Sequence, residues 1–314
     1  MPDFSHLMGW VDDQDKVNTV LSKAKMPYMS SYQQNICGAG AGKKSDNVSI
    51  IKSIHGGKFP IIVQETSDCV SFGLAGAINA LKCIRKFQGK YEEFGGFTST
   101  EDIYGGSRIL IGKGQLGRGG GSVGTWAAEY VTKYGTLVRK KYGNIDLSTY
   151  SGARADDWGI RGVPKELLPF AEEHQVRNYS QILTWEEFRD AIYSGYPVTV
   201  ASNRGFSGQR DKDGFLMGRA SWPHQVYFID VQDGSRPGGL LVNSWPVSWV
   251  SGVERDDTPP GCGWVPAEVI VRDMLSNRDS YCYTDYEGYP AQNINWEVAK
   301  LAVEKLKTFK GKEF

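Results

Sequence analysis

Gln64-Glu65-Thr66-Ser67-Asp68-Cys69-Val70-Ser71-Phe72 opens a segment in which Leu74, Ile78, Leu81 and Ile84 recur along one face up to Gln88. That spacing predicts an amphipathic helix beginning at the cysteine. Gly73 and Gly76 inside it each cost about 1 kcal/mol relative to alanine, so a close-packed neighbour is expected against them. A cysteine in the first helical turn feels the positive end of the macrodipole, which favours thiolate. A lone cysteine is more often a small buried hydrophobe. Its company elsewhere in the chain decides between the two.

Working outward, residues 1–56 form a lead-in with a short helix expected from Asp12 to Lys25 and the loose run Cys37-Gly38-Ala39-Gly40-Ala41-Gly42. Residues 95–124 are a glycine-studded loop, followed by a helix from Thr125 to Lys133 that Gly135 stops. Thr184 with Glu187 gives a capping-box pattern for a helix from Trp185 to Tyr193. Beyond it the pattern changes to short β-branched or aromatic runs at Val198 to Val200, Val226 to Val231, Leu240 to Val242 and Val269 to Val271. Trp296, Ala299, Val303 and Leu306 mark a terminal amphipathic helix from Trp296 to Phe309. Helices first and strands afterwards indicate an α+β architecture.

The 36 basic residues balance 36 acidic ones, which argues against a nucleic-acid partner. The longest aliphatic runs, such as Ile61-Ile62-Val63, fall far short of the ~18 apolar residues of a membrane span. Met1-Pro2-Asp3 opens a polar stretch without the apolar core of a signal peptide. The five cysteines are scattered, with no zinc-ligand spacing, so free thiols in an intracellular (cytoplasmic) setting or within a larger assembly are expected, and no metal or cofactor is called for. Gly112-Lys113-Gly114-Gln115-Leu116-Gly117 matches a dinucleotide-binding pattern, but Gly119-Gly120-Gly121 follows where a helix should open.

Of four histidines, His224 stands at the entrance to a strand-like run, and Leu241-Val242-Asn243-Ser244-Trp245 ends another strand on an asparagine. The order Cys69, His224, Asn243 resembles the papain-like cysteine peptidases. The likeness continues in Gln64 before the cysteine, in Gly119-Gly120-Gly121 ahead of a helix, in Tyr196-Pro197-Val198-Thr199-Val200, and in Asn243-Ser244-Trp245 with Trp249 beyond. It spans roughly residues 57–272, about two-thirds of the chain. It implies a two-lobed fold, a helical lobe over about 57–180 and an antiparallel sheet or barrel lobe over about 181–272, with extensions at 1–56 and 273–314. It further implies Cys69 as nucleophile, His224 as base, Asn243 as the residue orienting the imidazole, Gln64 as an oxyanion donor and Trp245 as their shield. Gly120 and Gly121 would be the strip that pairs with an extended peptide or protein substrate.

The departures are specific. Gln64 lies one residue closer to Cys69 than the family's usual spacing, and Val70 replaces the tryptophan that commonly follows the nucleophile. Thr66 and Arg118 stand where secreted members place disulfide-bonded cysteines. The lead-in is short and rich in glycine, unlike a helical inhibitory prodomain, so autoinhibition is not implied, although the segment has no other obvious place to pack than across the groove.

Two other readings stand beside the thiol peptidase. One is a non-catalytic structural or assembly protein on the same fold, which an averted His224 or a cleft permanently filled by the chain's own residues would favour. The lesser one is a serine hydrolase, since Gly120-Gly121-Ser122-Val123-Gly124 matches G-x-S-x-G with Ser122 as nucleophile. The Tyr281 to Tyr289 segment, with four tyrosines, and the terminal helix either dock a protein partner or pack the tail onto the domain.

Overall fold

A computed structural model of the chain describes residues 3–91 and 93–310. In chain order its helices are α1 (Gln14–Leu21), α2 (Asn47–Ile54), α3 (Cys69–Phe87), α4 (Glu101–Gly105), α5 (Gly124–Lys133), α6 (Gly152–Arg161), α7 (Leu168–Glu172), α8 (Trp185–Tyr193), α9 (Ala267–Val269) and α10 (Trp296–Lys310). Strands β1 (Lys141–Tyr142) and β2 (Ile145–Asp146) pair as a small hairpin. Strands β3 (Asn178–Gln181), β4 (Val198–Arg210), β5 (Leu216–Gln232), β6 (Gly238–Val242), β7 (Cys262–Pro266) and β8 (Asp279–Thr284) form one antiparallel sheet in the order β3-β8-β4-β5-β6-β7. The architecture is α+β, and the sheet stays open at β3 and β7; among the described residues no barrel closes.

Local signals act where expected. Thr184 Oγ1 accepts the Glu187 N–H and the Glu187 carboxylate reaches back to the Thr184 N–H, completing the box that starts α8. Asp13 caps α1 through the Lys16 N–H. The two glycines of α3 face β5: a Cβ on Gly76 would lie 2.3 Å from the Tyr227 ring, and one on Gly73 3.1 Å from Gln225 Cγ. The helix therefore lies directly on the strand that carries His224.

Residues 95–124, expected as loop, contain α4 and a wide helical turn over Gly106–Ile111, and three other expectations change. Val269 to Val271 is helical, continuing from α9 into a wide turn over Ile270–Met274. Pro266 ends β7 and begins the turn, and Ile270 is buried while Val271 is exposed, so tertiary placement overrides β propensity. The segment set apart as a C-terminal extension supplies β8, inserted between β3 and β4 with Cys282 opposite both Ser180 and Val198. Tyr281, Tyr283 and Tyr289 are buried there, and so are not available as a docking surface. The lead-in, finally, is woven into both cores: Leu7, Met26, Met29 and Ile36 join the sheet-side cluster, while Trp10, Val17 and Leu21 join the cluster of α3 and α5.

Candidate active site

Cys69 is the first residue of α3, and the seating of that helix on β5 brings its first turn against the residue after His224: Gln225 Nε2 donates to Val70 O at 2.9 Å. On β5, His224 pairs with Ser202 of β4. On the other side Tyr227 pairs with Val242, the last residue of β6, so Asn243 leaves the sheet beside His224. His224 Nε2 lies 2.8 Å from Asn243 Oδ1, which also accepts the Ser244 N–H at 2.8 Å. An amide oxygen only accepts, so Nε2 carries the hydrogen and Nδ1 keeps its lone pair, as a general base requires. Nδ1 is buried and has no hydrogen-bond partner among the described residues. The Trp245 ring stands 4.8 Å from the His224 ring and, with Trp222 and Trp249, walls the pair from water.

The cleft is filled by the chain's own N-terminal segment. Phe4 stacks on Trp245 at 4.7 Å. Leu7 O accepts Gln64 Nε2 at 2.7 Å. Ser122 N donates to Gly9 O at 2.8 Å and Ser122 O accepts Val11 N at 2.9 Å, a parallel bridge centred on Trp10. Trp10 N donates to Pro223 O at 3.0 Å, immediately before His224. Gly9 is the closest approach: a Cβ there would meet Ser67 O at 1.8 Å.

Burial sets the protonation states. Cys69 is fully buried, and desolvation pushes its thiol up to about 12, although the Gln225 and Gly9 backbone N–H groups favour the thiolate. Desolvation likewise brings His224 down to about 4, against the raising effect of Asn243. Asp68, buried beside them, is raised well above the usual carboxylate range by desolvation even though Tyr150 donates to it. The pair is thus neutral thiol and neutral imidazole. The activated thiolate expected from the helix terminus is not present in this state, because removal from water outweighs the dipole.

The other sequence-named residues fall as follows. Gln64 faces the covering segment, its Nε2 shared between Leu7 O and Thr66 O, both at 2.7 Å, and its Oε1 accepting from Ser244 Oγ. Gly120 and Gly121 line the strip, but the residue that pairs with the peptide backbone is Ser122. Gly121 (φ +88°) is needed bare, since a Cβ would sit 2.3 Å from Gly9 O. Ser122 Oγ is buried and bonded to Ser107 Oγ at 2.9 Å rather than to a histidine. Tyr104 and Arg108, which the sequence reading missed, hold the glycine strip: Tyr104 OH accepts the Gly121 N–H at 2.8 Å, and Arg108 donates to the carbonyls of Gly117, Gly119 and Gly121. Also missed were Trp10, Pro223 and Asp279. The apolar run Leu7-Met8-Gly9-Trp10-Val11 within a polar lead-in was the available signal.

No known family matches the sequence through its family model, and no curated protein matches it. Solved structures do. Xylellain, a cysteine protease from Xylella fastidiosa, superposes with a TM-score of 0.59 at 14% identity, over 91% of this chain and 99% of that one. ProCathepsin B S9 from Trypanosoma congolense gives a TM-score of 0.53 at 12% identity, over 92% of this chain and 88% of that one. The fold is the papain-like cysteine-protease fold, shared at low sequence identity.

Among the described residues all five cysteines are free, no group of His, Cys, Asp or Glu is arranged to hold a metal, and no helix is long and apolar enough to cross a membrane.

Proposed function

We propose that the chain is a cysteine-type peptidase held in a self-occupied form. The observation that carries this reading is the occupant of the cleft: an extended peptide whose main chain runs past Gln64, Ser122 and Pro223 and over Cys69. A cleft that recognises backbone N–H and C=O groups is built for peptides. In an opened state, water and the α3 terminus restore the thiolate–imidazolium pair of Cys69 and His224. Sγ attacks the scissile carbonyl carbon, and the oxyanion takes the donors of Gln64 and the Cys69 N–H, each worth ~3–4 kcal/mol in related chemistry. Imidazolium protonates the leaving amine, and water then hydrolyses the thioester with His224 as base. Asn243 holds the imidazole tautomer throughout.

The scaffold reading is favoured by two observations: the filled cleft, and the absence, among the described residues, of a donor to His224 Nδ1. Against it, the occupant is a short segment ahead of α1, and the His224–Asn243 bond has the geometry of a working pair. The serine reading has no histidine at Ser122. Hydrolysis of a mixed fluorogenic peptide set by the full chain carrying Gly9→Ala, lost on adding Cys69→Ala, is the expected result. A Gly9→Ala protein that releases its segment yet cleaves nothing would leave the scaffold as the function.

A further inference from the structure

About 20 Å along α3 from Cys69, a cavity of about 440 Å³ opens beside Lys82, and neither Cys69, His224 nor Asn243 lines it. Its walls are apolar: Ile78, Leu81 and Val176 are buried and Phe94 is half-buried. The size falls within the ~300–1,000 Å³ of small-molecule sites. Set among those walls is the half-buried side chain of Lys82. Its Nζ donates to Thr98 Oγ1 at 3.2 Å and stands 3.5 Å from Gly96 O, both neutral acceptors. An ammonium has three donors, so these two contacts leave an N–H unused.

Among the described residues no carboxylate forms an ion pair with Lys82. Asp102 favours the ammonium through space, but its Oδ2 is held by the Leu137 N–H at 2.9 Å. Desolvation brings Lys82 down to about 8, so the group is cationic at neutral pH but poorly compensated. His174 lines the same cavity, and its ring has no hydrogen-bond partner among the described residues. Its pKa is lowered by desolvation first and then by the charges of Lys82 and Lys140, against a raising effect of Glu173. Of the carboxylates at the cavity, Asp285 is committed to Arg85 Nε and Tyr91 OH, both at 2.8 Å. Glu93 and Glu173 are exposed at the rim with Lys90, where water screens them. At depth the space therefore offers a cation, an imidazole and apolar walls. A cationic guest would meet Lys82, and a purely apolar one would bury the unused N–H without an acceptor.

We propose that this cavity binds an amphiphilic organic acid, a carboxylate on a medium-length apolar chain, with Lys82 as its charge partner and His174 as a second hydrogen-bonding group. The chain lies against Ile78, Leu81, Phe94 and Val176, and the carboxylate takes the N–H that the protein leaves without an acceptor. The site stands apart from the Cys69 cleft, so it holds whether or not the chain cleaves peptides.

The experiment titrates the full chain calorimetrically at pH 7 with octanoate, octanol and octylamine, which share one apolar chain and differ in head group. Octanoate should bind about tenfold or more tighter than octanol, with octylamine weakest. Lys82→Met keeps the stem and removes the charge, and should bring octanoate and octanol to within about twofold of each other. A second measurement needs no variant: bound octanoate should slow acetylation of Lys82 by a limiting amine-reactive ester, with the exposed Lys212 unaffected, as read by peptide mapping. That protection carries the test if Lys82→Met does not fold. Equal affinity for octanoate and octanol, octanoate binding untouched by Lys82→Met, protection of Lys82 no greater than that of Lys212, or no binding of octanoate at millimolar concentration each overturns the assignment.

Discussion

The backbone carbonyl of Leu7 accepts the side-chain amide of Gln64 at 2.7 Å, so the donor assigned to a developing oxyanion is already bonded to the protein's own chain. The same segment brings the Gly9 N–H to the Cys69 thiol, and Cys69 and His224 are both desolvated by burial. The cleft is occupied and the pair is neutral in the same structure, and the predictions below test whether the first causes the second.

Brief iodoacetamide labelling of the unaltered protein at pH 7 should modify Cys37, which is exposed, well before Cys69, which is buried with its thiol pushed up to about 12. Peptide mapping reads the order. Cys69 labelling first would mean that the segment is off the cleft in solution.

Gly9→Ala should reverse that order. The added methyl meets the Ser67 carbonyl at a distance no relaxation of a side chain can relieve, so residues 4–11 must lift. Overpacking of this kind costs ~1–3 kcal/mol, which corresponds to roughly a five- to hundredfold rise in the open fraction and in the Cys69 labelling rate. An unchanged rate would show that Gly9 does not hold the cover.

In the Gly9→Ala background, Cys69→Ala should abolish peptide hydrolysis, while Ser122→Ala should retain it with about 1 kcal/mol less stability from the lost bond to Ser107. His224→Ala should reduce turnover more than Asn243→Ala, because the base moves the proton and the asparagine only orients it. Steady-state kinetics and thermal melts separate these effects; dependence on Ser122 instead of Cys69 would reverse the nucleophile assignment.

Acid should favour opening. His224 titrates near 4 when covered, against 6.5 for an ordinary histidine, so the covered form is fully favoured above pH 6.5 and loses that advantage as pH falls toward 4. The open fraction should rise by at most about tenfold per pH unit across that window. The 19F signal of 5-fluorotryptophan at Trp10 reports it. Asp68 and Asp279 are both raised by burial, so the covered form holds their protons more tightly and acid acting on them opposes opening; His224→Gln should therefore remove the acid-driven opening. An acid-driven opening unaltered by that substitution would show that His224 is not its cause.

The helical face from Leu74 to Ile84, the capping box at Thr184 and Glu187, and the strand runs around Val226 and Leu240 were legible because each is a local pattern, set by periodicity or by contacts three or four residues apart. Gly73 and Gly76 announced a close partner but not which one; Gln225 and Tyr227 on β5 are distant in sequence. Val269 to Val271 misled for the complementary reason, since β-branched residues read as a strand until Pro266 and the burial of Ile270 turn them into a helix.

From the residues alone come the α+β class, the starting point of α3 at a cysteine, and the order Cys69, His224, Asn243, all of which depend on side-chain chemistry and short-range spacing. Only the tertiary structure decides that β8 enters the middle of the sheet, that Trp10 finds Asp279, and that residues 4–11 fill the cleft. These are pairings across up to most of the chain's length, made by backbone groups and buried acceptors that every sequence possesses and no local pattern marks. The protonation of Cys69 and His224 belongs with them, because it is set by how much water the packed chain leaves around each group.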